Sequence, residues 1–253
     1  RAVCAFGLKE SFEKAAESVV EHYGFELPLS TVAAVTRENA GRIAQRQTED
    51  ELMASALPES GKEEIIAEAD GSFIRIVSTD GGKGDARKNR KVEYKEARLC
   101  ASSAKGSERI YYDATFGPVD TVAAMWAQTA KSAGMSLQSH VHVLADGALW
   151  IDTQRSVAFG KQGELLIDLY HVLEYLAEAS ETCSDKPKRW LSTQKKRLKT
   201  GHSDKVIAEL KKHREPESWA DDLSPVRRAW RYLDNRRNYL AYDKAIEKGL
   251  PLG

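Results

Sequence analysis

Apolar residues follow a helical spacing near both ends of the chain and form strand-like runs between them. From Ser11 to Gly24 they recur every three or four positions, which predicts an amphipathic helix capped by Ser11. A second helical pattern covers 32–47, so this region forms either a helix-turn-helix or a plain helical hairpin. The polar stretch 48–62 predicts a linker.

The middle of the chain has the pattern of a mixed α/β domain. Asp70-Gly71 lies within apolar residues that predict either one strand or a hairpin. The other expected elements are strands at 92–101, 109–116, 141–145 and 165–168, and helices at 119–133 and 169–179. Only helical spacing occurs from 186 to 244, so the sequence predicts an α/β fold with an all-helical addition.

Composition excludes several classes of protein. Apolar residues make up 42% of the chain and charged residues 30%, and no run approaches the roughly 20 apolar residues that cross a bilayer. We therefore expect no membrane insertion and a cytoplasmic location. The three cysteines are widely spaced, which argues against a disulfide framework or a zinc site. The chain begins at Arg1 and stops in a loop-like sequence, which indicates a piece of a longer protein.

Charge is unevenly distributed although the net charge is zero. Residues 1–70 carry 7 Lys and Arg against 14 Asp and Glu, whereas 186–237 carry 16 against 7. The basic part either binds a polyanion or is a solvated helical face. A glycine-rich basic loop at 81–91 lacks the spacing of a nucleotide-binding loop, so we expect a hairpin tip that contacts DNA backbone. The candidate DNA-binding residues are Lys83, Arg87, Lys88, Arg90, Lys91, Lys195, Lys196, Arg197, Arg227, Arg228 and Arg231.

Asp70 and Asp146 are the candidate catalytic carboxylates. Each ends or interrupts an apolar run and precedes a glycine, which allows close approach of a substrate. Carboxylates from separate strands are the oxygen ligands with which Mg²⁺ or Mn²⁺ is held for phosphodiester chemistry. An Asp-Gly step is also the commonest hairpin turn, so each alone is ambiguous. Asp168 and His171 are three residues apart where a strand becomes a helix, so their side chains can hydrogen-bond each other or a neighbouring carboxylate; the alternative is that His171 is a satisfied core histidine.

Four segments together resemble bacterial insertion-sequence transposases of the Kra type, a DDE group related to Mutator-like transposases. The segments are Glu68-Ala69-Asp70-Gly71-Ser72, Lys95-Glu96-Ala97-Arg98-Leu99, Ala145-Asp146-Gly147-Ala148-Leu149-Trp150-Ile151 and Ile167-Asp168-Leu169-Tyr170-His171. The likeness runs over nearly the whole chain and keeps the order of the motifs.

The resemblance implies an RNase H-like fold with three catalytic acids. Asp70 and Asp146 match the first two as metal ligands, and Asp168 with His171 matches an accessory Asp-x-x-His signature. The third acid, a Glu, is expected beyond Gly253, so the chain itself is expected to be incomplete and inactive. The implied organisation is a helical region at 1–60, a catalytic core at 61–181 and a helical insertion at 182–253.

The implied activity is metal-dependent cleavage and strand transfer at the ends of an insertion sequence. Double-stranded DNA is the expected partner, and a homodimer or larger assembly is expected of this class of protein. Two alternatives stay open at this point: a non-catalytic DNA-binding remnant, and a structure-specific nuclease of the same fold.

Overall fold

The computed structural model describes residues 2–52, 56–79 and 90–253, without the side chains of 44–52 and 79. The chain divides into two units, residues 1–56 and 57–253. The helical addition thus shares the second unit with the sheet. The boundaries expected at residues 60 and 181 stay predictions.

The described residues of the first unit form three helices: α1 (Ala2–Lys9), α2 (Phe12–Tyr23) and α3 (Leu29–Leu52). Helix α2 begins where the sequence predicts, because the Ser11 hydroxyl accepts a hydrogen bond from the backbone N–H of Lys14 at 3.3 Å. Helix α3 continues through Leu52, so the linker expected at 48–62 begins later than the polar composition suggested.

A five-stranded mixed sheet forms the centre of the second unit. The strands are β1 (Glu64–Thr79), β2 (Arg90–Ala104), β3 (Tyr111–Thr115), β4 (His140–Ala145) and β5 (Gly163–Ile167). Their order is β3-β2-β1-β4-β5, and β2 alone runs against the other four. The predicted α/β fold class is confirmed, and this order and these directions are compatible with an RNase H-like sheet.

Asp70 and Gly71 lie inside strand β1, so the hairpin alternative for this step is wrong. Asp70 pairs with Leu99 of β2, and the pairing continues without a break to Thr79. The chain stays extended at this step because β2 pairs with both residues, Asp70 with Leu99 and Gly71 with Arg98.

Helices cover both faces of the sheet. They are α4 (Val122–Ser132), α5 (Leu149–Phe159), α6 (Leu169–Cys183), α7 (Pro187–Lys199), α8 (Ser203–Lys212), α9 (Pro225–Asn235) and α10 (Tyr242–Glu247). Helices α4 and α5 bury Trp126 and Phe159 against one face, and α6 to α10 form a second core on the other. The all-helical character predicted for 186–244 is confirmed, whereas α5 was not predicted. In the described part of the chain, no helix is long and apolar enough to span a bilayer.

Candidate active site

Asp70, on β1, and Asp146, the first residue after β4, lie at the same level along two neighbouring parallel strands. The register between β1 and β4 pairs Glu68 with Leu144, a constant offset of 76 residues along the ladder. Asp70 and Asp146 have the same offset, two residues beyond this last pair. Because neighbouring strands run about 4.8 Å apart, the register brings the two residues together at the carboxyl end of β4.

Asp168 extends this row to a third strand. The register between β4 and β5 pairs Ala145 with Ile167, so the next residues along the two strands are Asp146 and Asp168. The backbone N–H of Asp168 donates to the Ala145 carbonyl at 2.8 Å. Three acidic residues therefore follow one another across β1, β4 and β5.

The acidic side chains share the face of the sheet that α6 covers. Along β1, Ile65, Ala67 and Ala69 enter the core beneath α4 and α5, so the alternate positions Glu68 and Asp70 face the other way. An open cavity of about 470 Å³ occupies this end of the face. It is lined by Glu68, Ala69, Asp70, Leu99, Ala101, Leu144, Ala145, Asp146, Asp168, His171 and Gly253.

Local backbone groups hold one oxygen of each of the first two carboxylates. Asp70 Oδ1 accepts a hydrogen bond from the N–H of Gly71 at 2.7 Å, and Asp146 Oδ1 accepts one from the N–H of Ala148 at 2.8 Å. Within the described residues no hydrogen bond reaches their Oδ2 atoms. These oxygens are available to a ligand in the cavity.

Asp168 is the N-cap of helix α6. Its Oδ1 atom accepts hydrogen bonds from the N–H groups of Tyr170 at 2.6 Å and His171 at 3.4 Å. The imidazole of His171 lies on the cavity wall, with Nδ1 3.3 Å from a carboxylate oxygen of Glu174. The Asp-x-x-His spacing thus brings both residues to one cavity, but the hydrogen bond between them runs through the backbone of His171.

The cavity has the ligand chemistry of a hard divalent cation. Four of its lining residues carry carboxylates, and Mg²⁺ commonly uses one or two protein carboxylates while keeping several waters. No group of three His, Cys, Asp or Glu side chains within the described ranges is arranged as a ready-made metal cluster. The arrangement fits an ion held by two carboxylates and water better than an all-protein cage.

Residues 250–253 reach the cavity past His142 of β4 and the start of α6. The N–H of Leu169 donates to the carbonyl of Leu252 at 2.8 Å, and His142 Nε2 lies 2.9 Å from the carbonyl oxygen of Pro251. Gly253 lines the cavity beside Asp168. His142 is 3% exposed, so one buried imidazole fastens this segment to the sheet.

We expect acidification to destabilise the second unit through His142. Burial lowers the pKa of this imidazole below its ordinary value of 6.5, although the Pro251 carbonyl and the nearby Glu164 and Glu64 carboxylates oppose the shift. A lowered pKa means that the stabilising contribution is present above pH 6.5 and is lost as the pH falls below it. Urea unfolding of His142→Asn between pH 7.5 and 5 should show a shallower decline in the free energy of unfolding than the wild type.

The exposed His202→Asn variant is the control, and its decline should match that of the wild type. If the free energy of unfolding fell equally with pH in His142→Asn and in the wild type, folding would not lower the pKa of His142.

The basic residues predicted to bind DNA are spread over several elements. Lys83, Arg87 and Lys88 lie outside the described residues. Arg90 and Lys91 begin β2, and residues 195–197 lie on α7. Lys196 is exposed, whereas Arg197 donates to the Gln194 side chain at 3.1 Å.

Arg227, one of the residues predicted to bind DNA, is buried in the structure. It is 5% exposed, and its guanidinium donates to the carbonyls of Pro216 at 2.5 Å and Trp219 at 2.7 Å. Burial removes it from the reach of a phosphate, so its role is to hold the start of α9. Arg228 and Arg231 are more open and form ion pairs, with Glu178 at 2.7 Å and Asp221 at 2.5 Å respectively.

Two residues that sequence reasoning assigned no role in the site contact the Asp146-Gly147 step from α9. The Tyr232 hydroxyl donates to the main-chain carbonyl of Asp146, and the Arg236 guanidinium donates to that of Gly147. In the sequence Arg236 reads as one more cation of the basic helices. The i, i+4 spacing of Tyr232 and Arg236 indicates that they share a helix face. It does not indicate what that face contacts, because the two carbonyls lie 86 to 89 residues earlier in the chain.

Comparison with known proteins adds little to this description. No protein-family model matches the chain, and no curated protein matches it. One solved structure, described as the crystal structure of NurA with manganese, is 14% identical and aligns with 84% of this chain. This chain spans 45% of the NurA chain, and the TM-score is 0.14, a likeness too low to support an argument about fold or function.

Proposed function

We propose that this chain belongs to a DNA transposase and carries a metal-dependent site for phosphodiester cleavage and strand transfer. The observation that carries the proposal is the register that aligns Asp70 with Asp146 on adjacent strands, at one cavity. A pair of unrelated hairpin turns would not share a ladder offset and a cavity wall. The resemblance of the motifs around both residues supports the transposase class.

Asp70 and Asp146 would hold Mg²⁺ or Mn²⁺ through their Oδ2 atoms. When bound, such an ion supplies a Lewis acid that activates an attacking oxygen and stabilises a leaving one. The backbone N–H groups that hold the Oδ1 atoms limit rotation of both carboxylates. Asp168 fixes the start of α6 and thereby the position of His171 on the same wall. The Glu expected beyond Gly253 stays a prediction.

DNA would reach the cavity across basic surface of the second unit. The exposed cations Arg90 on β2 and Lys196 on α7 are candidates for contacts with phosphates. Such contacts are electrostatic, so affinity for duplex DNA should fall steeply as salt increases. Double-stranded DNA is therefore the proposed substrate, and cleavage without joining would instead favour a nuclease of the same fold.

Binding of Mn²⁺ to the isolated protein tests the metal site directly. We expect Asp70→Asn and Asp146→Asn each to weaken Mn²⁺ binding at least about tenfold. Loss of a residue that only orients a metal ligand already lowers metal affinity by that factor, and loss of the ligand itself should lower it at least as much. Electron paramagnetic resonance of free Mn²⁺ in a titration measures the affinity. Unchanged affinity in both variants would exclude the proposed site.

Asp113→Asn is a matched control. Asp113 lies on β3 of the same sheet, and its Oδ1 accepts a hydrogen bond from the next backbone N–H at 2.8 Å, as in Asp70. Its register partner Cys100 faces the core beneath α4, so the Asp113 side chain does not line the cavity. Its variant should bind Mn²⁺ as the wild type does, and an equal loss would indicate a nonspecific charge effect.

A further inference from the structure

We infer that Tyr232 and Arg236 are positioning residues that set the place of the Asp146 carboxylate from helix α9. The two residues and the two backbone carbonyls they hold are called the α9 clamp below. The consequence for metal binding rests on the proposed function, whereas the clamp itself rests on the geometry of the metal-free chain.

The clamp holds two consecutive carbonyls where the chain leaves β4. The Tyr232 hydroxyl donates to the Asp146 carbonyl at 2.5 Å. Arg236 donates twice to the Gly147 carbonyl, from Nε at 3.0 Å and from Nη2 at 2.7 Å. A planar guanidinium that donates two hydrogen bonds to one oxygen fixes its direction better than a single rotatable donor does.

Aromatic packing makes the clamp rigid. The Arg236 guanidinium lies over the Tyr232 ring at 4.2 Å, and that ring stacks on Tyr175 of α6 with centroids 4.2 Å apart and planes 13° apart. His171, on the cavity wall, meets the Tyr232 ring edge-on at 5.6 Å. Burial raises the pKa of the Tyr232 hydroxyl above its usual range, so it remains a proton donor.

The clamp acts on the backbone segment that orients the carboxylate. Asp146 Oδ1 is held by the N–H of Ala148, so the carboxylate and residues 146–148 form one small turn. The clamp holds the carbonyl groups of Asp146 and Gly147 in this turn. The hydrogen bond from the N–H of Ala148 to Asp146 Oδ1 holds its other side. If the clamp is lost, the backbone of the turn becomes more mobile. The Asp146 carboxylate is then no longer held in a single orientation toward Asp70.

This geometry gives the helical addition a second role besides DNA binding. Helix α9 carries the clamp on its inner face and the more open Arg228 and Arg231 at other positions. A residue that orients a ligand typically changes metal affinity by one to two orders of magnitude when it is lost. Part of the affinity of the site therefore resides in a helix more than 80 residues from Asp146 in sequence.

Tyr232→Phe and Arg236→Gln test the clamp in the metal-free protein. Tyr232→Phe keeps the ring stack and removes the donor alone. We expect the amide of Ala148 to exchange with deuterium about tenfold faster in both variants, as measured by mass spectrometry of peptides that cover 146–149. Arg237→Gln is the control, because Arg237 is exposed and pairs with Asp204 and Asp234 instead.

The same variants should weaken Mn²⁺ binding about tenfold. Tyr232→Phe loses a single hydrogen bond, so its midpoint of thermal unfolding should fall by only about 2 to 4 °C. Unchanged exchange in both variants overturns the clamp. Faster exchange with unchanged Mn²⁺ affinity overturns its positioning role. If exchange is faster but the wild type binds no Mn²⁺ that depends on Asp146, the clamp stands and the proposed function fails.

Discussion

Arg227→Met should lower the free energy of unfolding of the second unit by about 2 to 4 kcal/mol. The guanidinium is buried and satisfies the carbonyls of Pro216 and Trp219, and methionine fills much of the space without a donor. Two carbonyls would lose hydrogen bonds from a charged donor, at about 1 to 2 kcal/mol each. Urea unfolding followed by tryptophan fluorescence measures the loss.

Arg231→Met separates this structural effect from a role in DNA binding. Arg231 lies one helical turn further along α9, is half-exposed and pairs with Asp221. We expect its variant to unfold almost as the wild type does and to bind duplex DNA with a smaller salt dependence. If an Arg227 variant kept full stability but lost affinity for DNA, the result would support the original prediction that Arg227 contacts a phosphate, despite its burial.

Periodicity made most of the fold predictable. Helix α2 follows from apolar spacing and the Ser11 cap, both of which act within a few residues. The strands of the sheet follow from apolar runs, because burial on both faces requires them at β4 and β5. Local patterns determine such elements whatever their partners are.

Distant contacts decide the element that the sequence left open, at Asp70-Gly71, and the one that was missed, α5. Asp70-Gly71 is a turn sequence, yet it stays extended because β2 pairs with both residues. Helix α5 has the exposed residues Leu149 and Val157 among its buried ones, so its apolar spacing is irregular. Tertiary pairing and packing decided both cases, and neither leaves a clear local signal.

The acidic residues of the candidate site could be predicted from the sequence, but the residues that hold the backbone around them could not. Asp146 and Asp168 each stand where an apolar run ends, and Asp70 interrupts one, which marks all three in the sequence. Arg236 and Arg227 look alike in a basic helical segment. Only the structure shows that Arg236 holds the Gly147 carbonyl and that Arg227 is buried at the start of α9.

Gly147→Ala should cost about 3 kcal/mol, because two penalties coincide at this position. Its φ of +80° is a left-handed conformation, which costs a residue with a side chain about 1 to 2 kcal/mol. An added Cβ would also lie 2.7 Å from Ile167 Cδ1 and would overlap the side chain of Arg236. Relieving that overlap must shift the α9 clamp, so Mn²⁺ affinity should fall together with stability.

Gly106→Ala isolates the backbone penalty from the contact. Gly106 also has a positive φ, +76°, close to that of Gly147, but a Cβ built there meets nothing within 4 Å. We expect its variant to lose only the 1 to 2 kcal/mol of the backbone, by the same urea measurement, and to keep its Mn²⁺ affinity. If Gly147→Ala costs no more than Gly106→Ala, Arg236 does not approach the turn closely in solution. The clamp on Asp146 would then be wrong, although the alignment of Asp146 with Asp70 would be unaffected, because it depends on strand register alone.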